Sequence, residues 1–206
     1  MNSHINNDDY IFEIVHDLKA PILSIDIALK DIERDEFLDE IYKINKHNLN
    51  YIENLLTGYS ISKDRYCPRF EEVNLIKIIK EEINVLSFFA EEKSLVFELV
   101  SDNIKEVFIK TDKGLFRQII LNLLTNAVKY APNNSNVEIK ICKKEKILTI
   151  CFSNIYNKDL TNICSTKLGL EIVKKKIKAL KGKFKIIKKD GKICFNLSFV
   201  GHPEKY

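Results

Sequence analysis

Apolar residues at Ile11, Val15, Leu18, Ile22, Ile25, Leu29 and Ile32 step along the chain by four and three in unbroken alternation. That spacing keeps them on one seam of an α-helix and is the pattern of a coiled coil or helical bundle. Pro21 falls inside the run and predicts a bend there. After a charged break from Asp31 to Glu36, a second periodic stretch follows. In it Phe37, Ile41, Ile44, Tyr51 and Leu55 form one row, interrupted by Asn48, and Leu49, Ile52, Leu56 and Tyr59 form a neighbouring row. Two amphipathic helices joined by a short turn make an antiparallel hairpin. Alone it leaves a wide apolar stripe in water. A second copy buries that stripe, so residues 9–60 are expected to form a homodimeric four-helix bundle.

The stretch from Ser60 to Glu72 holds Pro68 and many charges and reads as a linker, dividing a hairpin over 1–62 from a second domain over 63–206. Beyond it the periodicity changes. Asn74 can cap a helix with Leu75, Ile79, Ile83 and Leu86 on its apolar face. Leu95 to Val100 and Val107 to Ile109 read as strands. Asp112 can cap a long helix running to about Tyr130 and closed by Pro132. Strands over Val137 to Cys142 and Ile147 to Phe152 flank a lysine-rich turn. A helix over Leu168 to Leu180 ends at Gly182, read as its C-terminal cap. Two final strands, Phe184 to Ile187 and Ile193 to Val200, meet around Asp190-Gly191, a favoured tight turn. Helices and hairpins in this order predict an α+β protein: the helical hairpin, then an α/β sandwich with one mixed sheet covered by helices on one face.

Composition excludes several classes. The chain has 206 residues, 45% hydrophobic and 30% charged, a balance that fits a globular protein rather than a disordered one. No run approaches the roughly 18 apolar residues of a membrane helix, and the polar start from Met1 to Tyr10 argues against a secretory leader, so a cytoplasmic protein is expected. Five cysteines, at 67, 142, 151, 164 and 194, form no CxxC pair and are expected to be reduced thiols, not a metal site. Lysines crowd the stretch from Lys167 to Lys192, but without aromatic interleaving. They read as a solvated helix face, and no nucleic-acid partner is expected.

Three clusters carry chemistry. His16-Asp17-Leu18-Lys19-Ala20-Pro21 sets an imidazole beside a carboxylate one residue off the seam, hence on the flank of the bundle. A neutral imidazole is a competent nucleophile, and the neighbouring carboxylate can orient it or take its proton. Gln118 opens a second cluster, in which Asn122 and Asn126 share one helix face and are followed by Lys129 and Tyr130. The third, Ser165-Thr166-Lys167-Leu168-Gly169-Leu170, opens a helix whose N-terminal amides suit phosphate.

Taken together, these clusters resemble the catalytic core of the bacterial two-component histidine kinases, over most of the chain from about Tyr10 to Phe199. The resemblance implies a dimerisation and phospho-acceptor hairpin followed by an ATPase domain of the GHKL, or Bergerat, type. It makes His16 the phospho-acceptor and Asp17 its acid/base partner. It implies ATP with Mg²⁺ held by Asn126, and Asn122, Lys129, Tyr130, Lys167, Gly169 and Leu170 near the nucleotide. The implied partners are the receiver domains of response regulators.

Departures from the family pattern bear on the activity. The aspartate that accepts a hydrogen bond from adenine, and the two spaced glycines after it, are replaced by Ser153-Asn154-Ile155-Tyr156-Asn157. Ser153 or Asn154 remains as a neutral partner for the base, with Ser153 the candidate. The lid is reduced to Lys158 to Ser165, and Ser165 and Lys167 stand where glycines are usual. Lys167 can contact phosphate as a point charge. Ala20, four residues after the histidine, has no polar atom to position a hydrolytic water, which argues against strong phosphatase activity. These losses predict weak or absent ATP binding and favour a phosphotransfer protein that exchanges a phosphoryl group on His16 with receiver aspartates. An ATP-dependent histidine kinase with a minimal lid and a pseudokinase scaffold for a response regulator are the alternatives.

Overall fold

The computed structural model describes residues 7–30, 35–101, 106–155 and 168–200, and the chain divides into two compact units, Met1–Tyr66 and Cys67–Tyr206. The predicted lid remnant, Lys167 and the turn from Asp31 lie outside the described residues.

The first unit is the helical hairpin. Helix α1 (Asn7–Lys30) carries Pro21 in its interior without ending there, and α2 (Glu36–Ser62) is opened by Asp35, whose carboxylate accepts the Leu38 N–H at 2.8 Å. The apolar rows read from the sequence separate in the structure. Leu29, Leu49 and Ile52 are buried within the protomer, whereas Leu18, Ile25, Phe37, Ile44 and Tyr51 stand exposed, Phe37 at 68%. The hairpin interior is partly polar. Asn45 is buried and donates from Nδ2 to the Ile22 carbonyl at 3.1 Å, tying the helices together through a side chain. The buried Asp26 has Lys30 at 3.5 Å and Lys46 at 3.6 Å.

The second unit starts with β1 (Glu71–Asn74), which pairs antiparallel with β3 (Phe108–Thr111) in a small ribbon. The linker reading of this segment missed β1, since Glu71-Glu72 lacks any apolar alternation. Between the two strands come α3 (Leu75–Val85), the short α4 (Ser87–Glu91) and β2 (Val96–Val100). Then follow α5 (Lys113–Tyr130), β4 (Asn136–Lys144), β5 (Ile147–Ile155), α6 (Leu168–Ala179), β6 (Lys183–Lys189) and β7 (Lys192–Val200). The main sheet runs β2-β4-β5-β7-β6, with β2 and β4 parallel and every other pair antiparallel.

Alternation of side chains along strands gives this sheet two unlike faces. Val137, Ile139, Ile141, Leu148, Ile150, Phe152, Phe195 and Leu197 are buried on one. Helix α5 packs there, its Phe116 ring 5.9 Å from that of Phe199, with α3 and α6 beside it. The other face carries Glu138, Lys140, Thr149 and Ser153 and is open. This is the predicted α/β sandwich.

The caps predicted at Asn74 and Asp112 both form, with Asn74 Oδ1 accepting from Lys77 N at 3.2 Å and Asp112 Oδ1 from Leu115 N at 2.9 Å. Asp112 also accepts the Arg69 N–H at 2.8 Å, so one buried carboxylate caps α5 and pins the chain entering β1. The Asp190-Gly191 turn has positive φ at both residues, as such a turn demands.

Three expectations are corrected. Gly182 is not the left-handed cap of α6, because Lys181 takes the positive φ. Gly182 is needed instead because a Cβ there would lie 2.6 Å from the Phe199 ring. Lys174, Lys175 and Lys178 are solvated as read, but Lys176 is fully buried. The cysteines are not all reduced: Cys151 and Cys194, on adjacent strands, form a disulfide with Cα atoms 6.3 Å apart, whereas Cys67 and Cys142 are free.

Candidate functional site

The two units bear separate groups of candidate residues. On α1, His16 and Asp17 project into solvent, with side-chain exposures of 67% and 85%. His16 Nδ1 lies 3.4 Å from Asp17 Oδ1, a long contact that favours one ring orientation without fixing it. Behind the imidazole, the Phe12 ring stacks on Tyr59 of α2 with centroids 4.4 Å apart and lies 6.4 Å from His16. The helix that bears His16 is thus braced against α2 while the ring stays open to a partner. Lys19 adds a link, its Nζ 3.0 Å from Glu53.

In the second unit, α5 carries Asn122 and Asn126, both half-buried, one turn apart on one face. Below them the helix interior is fully apolar, with Leu123 and Leu124 buried. At its C-terminal end, Lys129 Nζ sits 5.3 Å from the Tyr130 ring centroid. Lys93 Nζ donates to the carbonyls of Val128, Lys129 and Ala131 at 2.8, 3.1 and 3.4 Å, satisfying acceptors that a helix end leaves open. Gly169 lies in the first turn of α6, with open space where a Cβ would stand, and Leu170 beside it is half-buried.

Strand alternation separates Ser153 from this group. Ser153 lies on the open face of the sheet, its Oγ 3.4 Å from Glu138 Oε1, in a hollow of about 390 Å³ whose rim also includes Glu98, Asn136, Asn154 and Lys192. Asn154, next along β5, shares the buried face with Phe152 and Ile150, 4% exposed, and donates to the Ile155 carbonyl at 2.7 Å. Of the two neutral residues at the end of β5, Asn154 thus shares the helix-covered face of the sheet and Ser153 lies on the open one. Parity contained that signal, because Ile150 and Phe152 mark the buried face and 154 follows at a step of two.

A feature not read from the sequence lies between α5 and α6. Lys176 Nζ donates to Gln118 Oε1 at 2.7 Å, and burial pushes its ammonium down to about 7. Gln118 stands one turn before Asn122 on α5.

A helical hairpin bearing an exposed histidine, followed by this sheet-and-helix domain, is the architecture of the histidine kinase cytoplasmic core. Among solved structures, the Acinetobacter baumannii histidine kinase AdeS matches with a TM-score of 0.64 at 17% identity, covering 92% of this chain and 96% of that one. Full-length ShkA in complex with AMPPNP matches at a TM-score of 0.65 and 17% identity, over 93% of this chain and 46% of that one. The histidine kinase ThkA in complex with the response regulator protein TrrA matches at 0.58 and 20% identity, over 94% and 61%.

In sequence, the chain is 27% identical to the Sensor protein KdpD of Clostridium acetobutylicum, over 85% of this chain and 22% of that protein. It is 22% identical to the Heme sensor protein HssS of Staphylococcus saprophyticus, over 68% and 31%. To the Sensor protein DltS of Streptococcus agalactiae serotype III it is 26% identical, over 73% and 40%. The chain therefore spans between 22% and 40% of the length of these relatives. No protein-family model matches it. In fold the chain is similar to the cytoplasmic cores of histidine kinases, and in sequence to part of these sensor proteins.

Proposed function

We propose that this chain is a two-component phosphotransfer protein that carries a phosphoryl group on His16 and exchanges it with the receiver aspartates of response regulators. The observation that carries the reading is the exposure of His16 on the flank of α1, with the Asp17 carboxylate 3.4 Å from Nδ1. Neutral imidazole attacks phosphorus through one ring nitrogen, while Asp17 orients the ring or accepts its proton. Residues 1–62 act as the acceptor and dimerisation hairpin and 63–206 as the kinase-like domain. The uncovered apolar row of the hairpin, including Leu18, Ile25, Ile44 and Tyr51, supports a homodimer through residues 9–60. Among the described residues no helix is long and apolar enough to cross a membrane, and a cytoplasmic location is part of the proposal. The solved complex of ThkA with a response regulator supports the choice of partner.

A second reading, an ATP-dependent kinase, is favoured by the position of Asn154 on the helix-covered face of the sheet that also receives α5 with Asn122 and Asn126. The amide oxygen of Asn126 is a suitable hard ligand for nucleotide-bound Mg²⁺, and Asn154 can hydrogen-bond a base. Incubation with Mg²⁺ and γ-labelled ATP, beside a His16→Gln control, separates the two. Acid-labile label dependent on His16 establishes the kinase. No label from ATP, with His16-dependent label from a phosphorylated receiver domain, establishes the relay protein. Label from neither source overturns both.

A further inference from the structure

The open face of the sheet in the second unit carries three cysteines in a diagonal row. On β4, Cys142 stands across from Thr149, while Cys151 on β5 stands two residues further along. On β7, Cys194 stands across from Ser153, again two residues beyond Cys151. Steps of two preserve the face, so all three side chains stand on the side without helices. The step from Cys142 to Cys151 is therefore the same diagonal, run in the same sense across the sheet, as the step from Cys151 to Cys194. The second of these is bridged, with Cα atoms 6.3 Å apart, inside the range a disulfide needs. Cys142 is a free, half-buried thiol. Cys151 thus has a potential partner on each side.

We propose that this row is a dithiol/disulfide site for low-molecular-weight thiols, in which Cys151 exchanges partners between Cys194 and Cys142. The exchange itself is redox-neutral. The Cys142 thiolate attacks Sγ of Cys151, a Cys142–Cys151 bond forms, the Cys151–Cys194 bond breaks, and Cys194 leaves as thiolate to take up the proton that Cys142 released. Forming the first bridge needs a two-electron oxidant, which a low-molecular-weight disulfide supplies: two cysteine thiols are oxidised and two molecules of the small thiol are released. Along the rows of Cys142 and Cys151 the surroundings suit an anionic reagent of that kind, whereas the carboxylate of Glu138 stands in the row of Cys194. Lys140 stands directly across from Cys151, and Lys183 and Lys185 complete the same rows on β6, all exposed. Among the described residues no three His, Cys, Asp or Glu side chains converge to hold a metal ion.

Disulfides in reducing compartments are as a rule transient or redox-sensing, so such a site responds to the thiol poise. It lies on the strand that continues into Ser153 and Asn154, but its chemistry is independent of phosphoryl transfer and is read without it. The test equilibrates the full reduced chain with glutathione and glutathione disulfide, quenches in acid, alkylates, and maps the linked peptides by mass spectrometry. The expected result is loss of two thiols in the wild type as the Cys151–Cys194 link forms, and a Cys142–Cys151 link in Cys194→Ser. Cys142 and Cys151 both remaining alkylatable in Cys194→Ser overturns the exchange. Should that variant not fold, oxidised wild type held at neutral pH decides. Cys142–Cys151 peptides beside Cys151–Cys194 peptides support the proposal, and their absence overturns it.

Discussion

The ammonium nitrogen of Lys176 lies 2.7 Å from Gln118 Oε1, inside the α5–α6 interface and shielded from solvent over its whole side chain. Burial disfavours its charged form and lowers the ammonium from its ordinary 10.5 to about 7. In the unfolded chain it returns to the ordinary value, so between about 7 and 10.5 the unfolded state binds the more protons. Stability from this group therefore rises with pH across that window and is lost as pH falls toward 7. Replacing Lys176 by Met, which fills similar volume without a charge, is expected to stabilise the protein by about 1–4 kcal/mol at neutral pH. It also removes the rise in stability between pH 7 and 10. Urea denaturation of both proteins across that range measures it. Parallel stability–pH curves for parent and variant sink the assignment.

Lys93 reaches from the turn before β2 to three carbonyls at the end of α5, the helix that bears Asn122 and Asn126. Its charge also faces the negative end of the helix dipole. Lys93→Met keeps most of the stem but leaves those acceptors without the ammonium, and a loss of about 1–2 kcal/mol is expected. Hydrogen exchange locates the effect: amides near Tyr130 should lose protection more than those of β6. A uniform loss across the unit would refute a local capping role.

Gly182 occupies the space in front of the Phe199 ring, which leaves 2.6 Å to any added Cβ. Since the φ of Gly182 is not in the left-handed region, the penalty of Gly182→Ala comes from the collision and not from backbone strain. A cost of about 1–3 kcal/mol is expected, as for other overpacked interiors. In a double-mutant cycle, Phe199→Leu should recover part of it. Strict additivity of the two substitutions would show that the ring is not what the methyl meets.

How much of this was legible in the sequence follows from which physical signals are local. Helix caps at Asn74 and Asp112, the Asp190-Gly191 turn and the strand pairs at 136–155 and 183–200 rest on neighbours within a few residues, and all were readable. The hairpin rows were readable as apolar, but which row turns inward depends on where α2 meets α1, and the periodicity of either helix alone does not contain that. Lys176 was misread because the other three lysines of α6 are solvated, although its spacing from Ile172, Val173 and Leu180 sets it on the apolar face. The Cys151–Cys194 link needed the β5–β7 register, which brings residues 43 apart in sequence together. Parity along β5 was readable too, since a two-residue count from Phe152 sets Asn154 on the buried face and Ser153 on the open one.

That parity yields a last prediction. A carboxylate accepts a hydrogen bond from an exocyclic amine more strongly than a neutral amide does, and one charge-assisted bond is worth about 1.5–3 kcal/mol. Only position 154 directs its side chain to the helix-covered side, whereas position 153 points toward Glu138 on the open face. Asn154→Asp is therefore expected to bind adenine nucleotide about tenfold more tightly than the parent, and Ser153→Asp to leave affinity unchanged, a tenfold change corresponding to about 1.4 kcal/mol. The substitution has a cost without ligand. Asn154 now donates to the Ile155 carbonyl, and an aspartate in its place sets two acceptors together at a site that is 4% exposed. Free Asn154→Asp should thus unfold at lower temperature than the parent, with saturating nucleotide restoring the difference. Calorimetry with a non-hydrolysable ATP analogue and thermal unfolding with and without it read both effects. Tighter binding by Ser153→Asp and none by Asn154→Asp would place the base on the open face of the sheet and reverse the assignment of the two faces.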